Sequence, residues 1–349
     1  MSKDDETRFF RPSRTRRLRC RRWPALALEQ SLEKGLAMIQ LKKILFPTDF
    51  SRCASQALAH ALHLARRHQA ELHVLHALVL HGYTNGKALS AQIDLVETRL
   101  EQVAADRMRA VTKDLTVGIP VVVRAKKRGI SAAPVILEYA DEHDIDLIVL
   151  GTHGRRGLEH LFLGSVAEEV VRFSPCPVFT VRESKEPILT KAIERILVPV
   201  DFSTHSQRAL TYARELAGVY DARLQLLHII EPVVYPSFYS LDRTSFFDWM
   251  DEIEVEAIRQ LHRFLGTSGG PEVPADHFVV RGRAPTDITD FASSKNSDLI
   301  VIATHGLTGM KRLYLGSVCE KVVRRSRCPV FTVKAFGRTL VGEDRTGVA

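Results

Sequence analysis

One pattern occurs twice in this chain, and its two copies lie 152 residues apart. The segment ILFPTDFS at residues 44–51 returns as ILVPVDFS at residues 196–203. A longer block at residues 151–182 matches residues 303–334 at about 20 of 32 positions. Because both blocks share one offset, the sequence predicts two related domains rather than a single core.

The repeat also sets the expected domain boundaries. We expect an Arg-rich extension at residues 1–37, a first domain at 38–182, a polar linker at 183–191, a second domain at 192–335 and a loose C-terminal tail at 336–349. The extension holds ten Lys and Arg against five Asp and Glu, so it supplies +5 of the net charge of +8. Its composition predicts a flexible arm, or a translated segment upstream of a start at Met38. Any nucleic-acid contact is expected from this arm alone.

Within each repeat, short apolar strands alternate with amphipathic helices. In the first repeat we predict strands at 43–47, 72–77, 119–123, 146–151 and 178–181, and helices at 54–65, 89–115, 134–142 and 165–173. In the second we predict strands at 195–200, 223–229, 277–281, 299–303 and 330–333, and helices at 203–219, 246–265, 286–294 and 317–324. This alternation favours an α/β fold of two tandem Rossmann-like domains, each with a five-stranded, mostly parallel sheet flanked by helices.

Open parallel sheets bind ligands beyond the carboxyl ends of their strands, where the strand order reverses. Asp49 and Asp201 follow the first strand of each repeat, at that edge of the sheet. The fourth strand of the first repeat leads into GTHG at residues 151–154, and Gly164 opens the next helix after nine further residues. Glycine amides beside a helix N-terminus suit an anion, so this spacing indicates a phosphate site.

PTDFS at 47–51, GTHG at 151–154 and LGSV at 163–166 together resemble the universal stress protein family and its ATP-binding subgroup, and the resemblance covers both repeats. It implies an adenine nucleotide alpha hydrolase-like fold and ATP as the ligand, with a divalent cation, Mg²⁺ or Mn²⁺, bridging the phosphates. In such proteins the aspartate matching Asp49 lies against the nucleoside, and backbone near the position of Ala77 contacts adenine. The residues that surround ribose and phosphates match Gly151, Gly154, Gly164 and Ser165.

The candidate nucleotide contacts follow from that match, position by position. In the first repeat they are Pro47, Thr48, Asp49, Ala77, Gly151, His153, Gly154, Gly164, Ser165 and Val166. In the second repeat they are Pro199, Val200, Asp201, Ile229, Ala303, His305, Gly306, Gly316, Ser317 and Val318. The second repeat departs from the pattern at Ala303, whose methyl group must clear the ligand and whose φ must be negative.

Several candidates have a purely structural alternative. Ser51 can cap the first helix of the first repeat, and Asp49 and Asp201 could instead cap the first helix of their repeats. His153 and His305 have no matched nucleophile and carboxylate in the sequence, so loop packing is the simpler interpretation. We predict no catalytic residues and no dedicated set of metal ligands.

The motif spacing predicts a nucleotide-dependent signalling module rather than an enzyme, and the family resemblance implies a role in a stress response. Slow ATP hydrolysis or autophosphorylation is the minor alternative, because a Walker lysine motif, an evident base and a metal-ligand set are missing. The other alternative is a ligand-free scaffold that binds a protein partner.

The resemblance also implies how the two repeats meet. Their last strands, 178–181 and 330–333, should pair and form an internal pseudo-dimer, and further homo-oligomers stay open. No apolar run reaches the roughly 18 to 20 residues of a membrane span. Five scattered cysteines fit a reducing compartment, so we expect a cytoplasmic protein. Its expected partners are an adenine nucleotide and an unidentified protein.

Overall fold

The computed structural model describes residues 39, 41–79, 90–113, 118–153, 163–183, 193–231, 243–305, 315–334, 338 and 340. Its strands are β1 (Lys43–Pro47), β2 (Glu71–Val79), β3 (Val122–Gly129), β4 (Leu147–Gly151), β5 (Val178–Val181), β6 (Arg195–Pro199), β7 (Arg223–Ile230), β8 (Ala275–Arg281), β9 (Leu299–Ala303) and β10 (Val330–Val333). They form one ten-stranded sheet in the order β3-β2-β1-β4-β5-β10-β9-β6-β7-β8. Each half has five strands, all parallel, so the predicted α/β class is confirmed.

Helices cover both faces of this sheet. They are α1 (Arg52–His68), α2 (Ser90–Thr112), α3 (Ala132–Glu142), α4 (Ser165–Phe173), α5 (Thr204–Tyr220), α6 (Arg243–Thr267), α7 (Ala284–Ser294) and α8 (Ser317–Arg325). α1, α2, α5 and α6 enclose the core on one face, and α3, α4, α7 and α8 enclose the core on the other. Among the helices in the described part of the chain, none is long and apolar enough to cross a bilayer.

Helix α1 illustrates how the sequence sets one element. Ser51 Oγ accepts the amide of Ala54 at 3.1 Å and caps the helix, as its position predicts. Ala57 and Ala61 are fully buried, because small side chains let the helix lie close to the sheet. Gln69 ends the helix in the left-handed region with φ 51°.

The two halves of the sheet join through their last strands. β5 and β10 pair antiparallel, with Phe331 opposite Phe179, so the predicted pairing of these strands is confirmed. The two phenylalanine rings meet edge-on at 6.5 Å between centroids. Thr180 Oγ1 donates to Val330 O at 3.3 Å, and Thr332 Oγ1 donates to Val178 O at 3.1 Å. The contacts are reciprocal, so a pseudo-twofold axis passes between these strands.

The predicted range of the third strand was wrong. We expected a strand at residues 119–123, whereas β3 runs from Val122 to Gly129. β3 lies at the edge of the sheet, and its exposed side chains include Arg124, Lys126 and Arg128. Charged side chains are common on edge strands because they prevent pairing with other chains, and here they hid the strand from a search for apolar runs.

Most of the predicted extension, linker and tail lies outside the described residues. Two residues of the predicted tail are described, and each contacts one of the folded domains. Arg338 pairs with Asp144 at 2.8 Å, at the turn after α3. The amide of Leu340 donates to Tyr212 Oη at 2.8 Å, and its side chain is buried.

Candidate functional site

The strand order reverses between β1 and β4, and the two strands separate there. Their pairing covers only two positions and stops where Leu45 faces Ile148, although β4 continues to Gly151. The carbonyl of Lys43 accepts a hydrogen bond from the β4 side, so by alternation Pro47 also faces β4. Proline has no N–H to donate, which suits the point where the ladder ends. The same gap opens beyond Pro199 in the second repeat, since β6 pairs β9 at two positions only.

A tight turn beyond β1 holds the first candidate aspartate. The amide of Phe50 donates to Thr48 Oγ1, and the amide of Ser51 donates to Asp49 Oδ1, both at 3.0 Å. Phe50 has φ 62°, which is unusual for a bulky residue. Asp49 therefore braces the turn, and the helix cap is Ser51 rather than the aspartate.

The second repeat builds the same turn. The amide of Ser203 donates to Asp201 Oδ1 at 3.0 Å, and Phe202 also has φ 62°. Ser203 Oγ, which caps α5 through the amide of Ser206, adds a 2.6 Å hydrogen bond to the same carboxylate oxygen. Asp201 thus braces its turn through both the backbone and the side chain of Ser203.

Histidines near the ends of β2 and β7 support these turns. His76 Nδ1 donates to the Thr48 carbonyl at 2.7 Å, and its ring lies 4.5 Å from that of Phe50. In the second repeat His228 Nδ1 donates to the Val200 carbonyl at 2.8 Å. Both histidines therefore pack within the fold and hold the turn in place.

Ala77 presents its backbone to the gap beyond β1. The carbonyl of Leu75 accepts the amide of Thr48 at 2.8 Å, so Leu75 and, by alternation, Ala77 point their N–H and C=O toward β1. The pairing of β1 with β2 ends at Pro47 and Leu75. Ala77 therefore lies one step beyond the ladder, with a donor and an acceptor directed at the candidate site.

Ile229 occupies the equivalent place in the second repeat. The carbonyl of Leu227 accepts the amide of Val200 at 2.8 Å, and the ladder ends where Pro199 faces Leu227. The backbone of Ile229 consequently faces the gap beyond β6. Side-chain chemistry does not identify Ala77 or Ile229 as site residues, because the donor and acceptor groups that they offer belong to the backbone.

The N-terminus of α4 presses against the loop after β4. The amide of Gly164 donates to the carbonyl of Thr152 at 2.8 Å, and a Cβ on Gly164 would lie only 2.9 Å from that oxygen. Glycine is required at this close approach. Among the described residues no side chain caps α4, so the amides of Ser165 and Val166 remain available at its positive end.

Gly316 and α8 repeat that arrangement. The amide of Gly316 donates to the Thr304 carbonyl at 2.8 Å, and an added Cβ would come within 3.0 Å of it. Ser317 is exposed and Val318 half-buried, like Ser165 and Val166. Within the described part of the chain α8 also begins without a side-chain cap.

Gly151 contacts the start of α1. A Cβ on Gly151 would lie 2.7 Å from Cys53 Sγ and 3.3 Å from the amide nitrogen of Ala54. The protein's own packing therefore demands a glycine here. In the second repeat Ala303 keeps a β-strand conformation, and His205 stands at the position of Cys53. The exchange of glycine for alanine thus accompanies a change in the neighbouring helix.

The loop histidines bind their own loop. His153 Nδ1 and Thr152 Oγ1 share a hydrogen bond at 2.8 Å, and His305 Nδ1 and Thr304 Oγ1 share one at 3.1 Å. Burial raises the pKa of the neighbouring Cys53 thiol. This geometry gives a positioned loop rather than an activated nucleophile.

Two candidate glycines, Gly154 and Gly306, lie outside the described residues. The described residues contain no group of three or more His, Cys, Asp or Glu able to hold a metal ion. Sequence reasoning missed Phe50 and Phe202, whose left-handed backbone shapes both turns. The DFS segment common to both repeats was the signal that could have identified them.

Comparison with known proteins covers both repeats. The sequence model of the Universal stress protein family matches residues 40–182 and 192–334. A universal stress protein of Mycobacterium tuberculosis is 28% identical over 239 residues, which is 68% of this chain and 74% of that protein. Another, from Methanocaldococcus jannaschii, is 30% identical over 145 residues, which is 42% of this chain and 84% of that protein.

A solved structure shares the fold. The crystal structure of a universal stress protein from Archaeoglobus fulgidus covers 84% of this chain and is itself covered to 99%, with a TM-score of 0.58. At 22% identity the likeness concerns the fold alone. Since the family's sequence model matches both repeats, the chain belongs to the universal stress protein family.

Proposed function

We propose that each repeat binds an adenine nucleotide, with ATP as the ligand, and that the chain acts as a nucleotide-dependent signalling module in a stress response. The observation that supports this most directly is the arrangement around the end of β1. The backbone of Ala77 faces the gap from one side, and the N-terminus of α4 approaches the neighbouring strand β4 through Gly164.

The two sides of the gap suit the two ends of a nucleotide. Adenine carries an amino donor beside a ring-nitrogen acceptor, which matches a backbone C=O and N–H pair. Phosphates suit the free amides and positive dipole of a helix N-terminus. Asp49 lies between them, where a carboxylate can accept from a ribose hydroxyl while its Oδ1 holds the turn. A divalent cation would be held chiefly by the phosphates.

A ligand-free scaffold is the second candidate. This candidate is supported by the packing around Gly151 and Gly164, where an added Cβ would lie within 3 Å of another atom of the protein. Both positions therefore favour glycine even if no ligand binds. One binding experiment decides between the two functions.

The experiment is calorimetric titration of ATP with Mg²⁺ into protein stripped of carried-over nucleotide. Ser165→Glu places a carboxylate on the exposed first residue of α4, where it suits the helix dipole but repels phosphate. We expect it to weaken ATP binding at the first site by about tenfold or more. The neutral variant Ser165→Gln, which adds a similar side chain without the charge, should weaken binding less than Ser165→Glu does, and Ser317→Glu should weaken the second site by a similar factor.

Two results would contradict the proposal. One is the absence of ATP binding in the stripped, unmodified protein, which would leave the scaffold as the better description. The other is an isotherm that neither Ser165→Glu nor Ser317→Glu changes, because a nucleotide would then bind elsewhere.

A further inference from the structure

A buried lysine from the second repeat caps a helix of the first. Lys334 directly follows β10, and its side chain is only 7% exposed. Its Nζ donates to the carbonyls of Val171 and Arg172, the latter at 2.9 Å, in the last turn of α4. A cation at this end of a helix satisfies terminal carbonyls and complements the helix dipole.

The first repeat makes the corresponding contact with α8 of the second repeat, through an arginine instead of a lysine. Arg182 directly follows β5, 152 positions before Lys334. Its Nη1 donates to the carbonyls of Arg324 and Arg325, both at 3.2 Å, in the last turn of α8. Each repeat therefore holds the C-terminal end of the helix whose N-terminal end lies at the other repeat's candidate phosphate site.

Each capping residue also lies next to a strand residue that is hydrogen-bonded to the loop after the fourth strand of its own repeat. The amide of Thr304 donates to the carbonyl of Val333, next to Lys334, at 2.9 Å. The carbonyl of Thr304 in turn accepts the amide of Gly316 at 2.8 Å. Thr152 makes the matching pair of bonds, with Val181 and Gly164, both at 2.8 Å.

These contacts form a closed circuit. It runs from the loop at Thr304 through Lys334 and α4 to the loop at Thr152, and back through Arg182 and α8. α4 and α8 have nine residues each, so each spans about 13 Å as a rigid rod. A shift at one end of either helix moves the other end.

We propose that Lys334 and Arg182 are positioning residues that couple the two nucleotide sites, each setting the helix that binds phosphate in the opposite repeat. This inference rests on the proposed nucleotide function. ATP at the second site would fix the position of Thr304, and through Lys334 it would fix α4 for the first site.

The surroundings of Lys334 make its contact sensitive to replacement. Burial lowers the pKa of its ammonium to about 8, and the thiols of Cys176 and Cys319 are the titratable groups that act on it. Burying an ammonium costs free energy unless it is hydrogen-bonded, so the hydrogen bonds from Lys334 to α4 stabilise the fold as well as connecting the two repeats.

The test uses the full chain and hydrogen exchange. In Ser165→Glu the first site is weakened by about tenfold or more, so the ATP concentration is set to fill the second site and leave the first largely empty. We expect that ATP then slows exchange of the α4 amides by roughly two- to thirtyfold, the range for coupling through such a network. Adding Lys334→Met should abolish that response while ATP still binds, and adding Lys334→Arg should preserve it.

The reciprocal experiment uses Ser317→Glu, with Arg182→Met against Arg182→Lys and exchange measured in α8. It provides a second arm in case Lys334→Met does not fold, because Arg182 is less buried. Unchanged exchange in the distal helix on ATP binding, or a response that survives either methionine variant, would overturn the coupling alone. Absence of ATP binding in every protein, the unmodified chain included, would overturn the proposed function and the coupling with it.

Discussion

Replacing Gly151 with alanine separates the two reasons for a glycine in the loop after β4. If the glycine serves only the ligand, Gly151→Ala should lower nucleotide affinity and leave stability unchanged. The structure indicates otherwise, because the new methyl carbon would lie 2.7 Å from Cys53 Sγ and 3.1 Å from the Cys53 carbonyl carbon. Both distances are shorter than ordinary contacts, so α1 or β4 has to shift.

We expect Gly151→Ala to lower the free energy of unfolding by about 1–3 kcal/mol, the usual cost of overpacking a core. This corresponds to a fall in Tm of roughly 2–12 °C for a cooperative unit of about 150–250 residues, the size range nearest to one repeat. The assay is thermal or urea unfolding of nucleotide-free protein. Gly266→Ala is the matched control, because nothing lies within 4 Å of its added Cβ and alanine is a better helix former than glycine in the last turn of α6.

The double variant with Cys53→Ala tests the contact itself. Removing Sγ relieves the shortest approach but leaves the backbone approach at 3.1 Å. The two substitutions should therefore couple by about 0.5–3 kcal/mol, with the pair costing less than the sum of the single changes. If Gly151→Ala is as stable as the unmodified protein, or if the two changes are additive, the packing explanation is refuted.

Two further predictions concern buried side chains. Burial raises the pKa of Glu215 from 4.5 to about 7, so between these pH values the folded protein holds a proton that the unfolded chain releases, and this group's contribution to stability is lost as the pH rises through that window. Unfolding of Glu215→Gln should lack this loss, and a pH profile identical to that of the unmodified protein would refute the assignment. Phe331→Ala should cost about 3–5 kcal/mol in urea unfolding, whereas Phe173→Ala, on a side chain 46% exposed, should cost far less; equal losses would contradict the central role of Phe331.

The sequence predicted the elements that depend on local pattern. The apolar runs of β1 and β4 and the cap at Ser51 follow from spacing and residue type, so a short window of sequence is enough to locate them. β3 was misplaced because its charged residues suit an edge strand and do not form an apolar run. The pairing of β5 with β10 came from family resemblance, since no local signal specifies it.

The sequence pattern located Asp49 and Gly164 beyond the ends of the strands, but it did not reveal the contacts that hold them there. Spacing assigned Gly164 to a ligand, and the structure gives the same glycine a packing role, because an added Cβ would lie 2.9 Å from the carbonyl oxygen of Thr152. The contact of Arg182 with α8 joins residues 142 and 143 positions apart, and its basic side chain resembles any other on the surface. Such contacts depend on tertiary geometry, so a single sequence does not identify them.

Fusing two repeats into one chain lets the two sites differ. In a symmetric dimer every substitution appears at both sites, whereas here each copy changes alone. The ring of Phe50 lies 6.0 Å from the Arg107 guanidinium, while the ring of Phe202 lies 5.6 Å from that of Phe264. A positive charge beside the first turn attracts an anionic ligand and an aromatic ring beside the second does not. Under the proposed function, the two sites therefore have a physical basis for unequal affinity, so rising ATP would fill one site before the other, while any coupling between them acts equally in both directions.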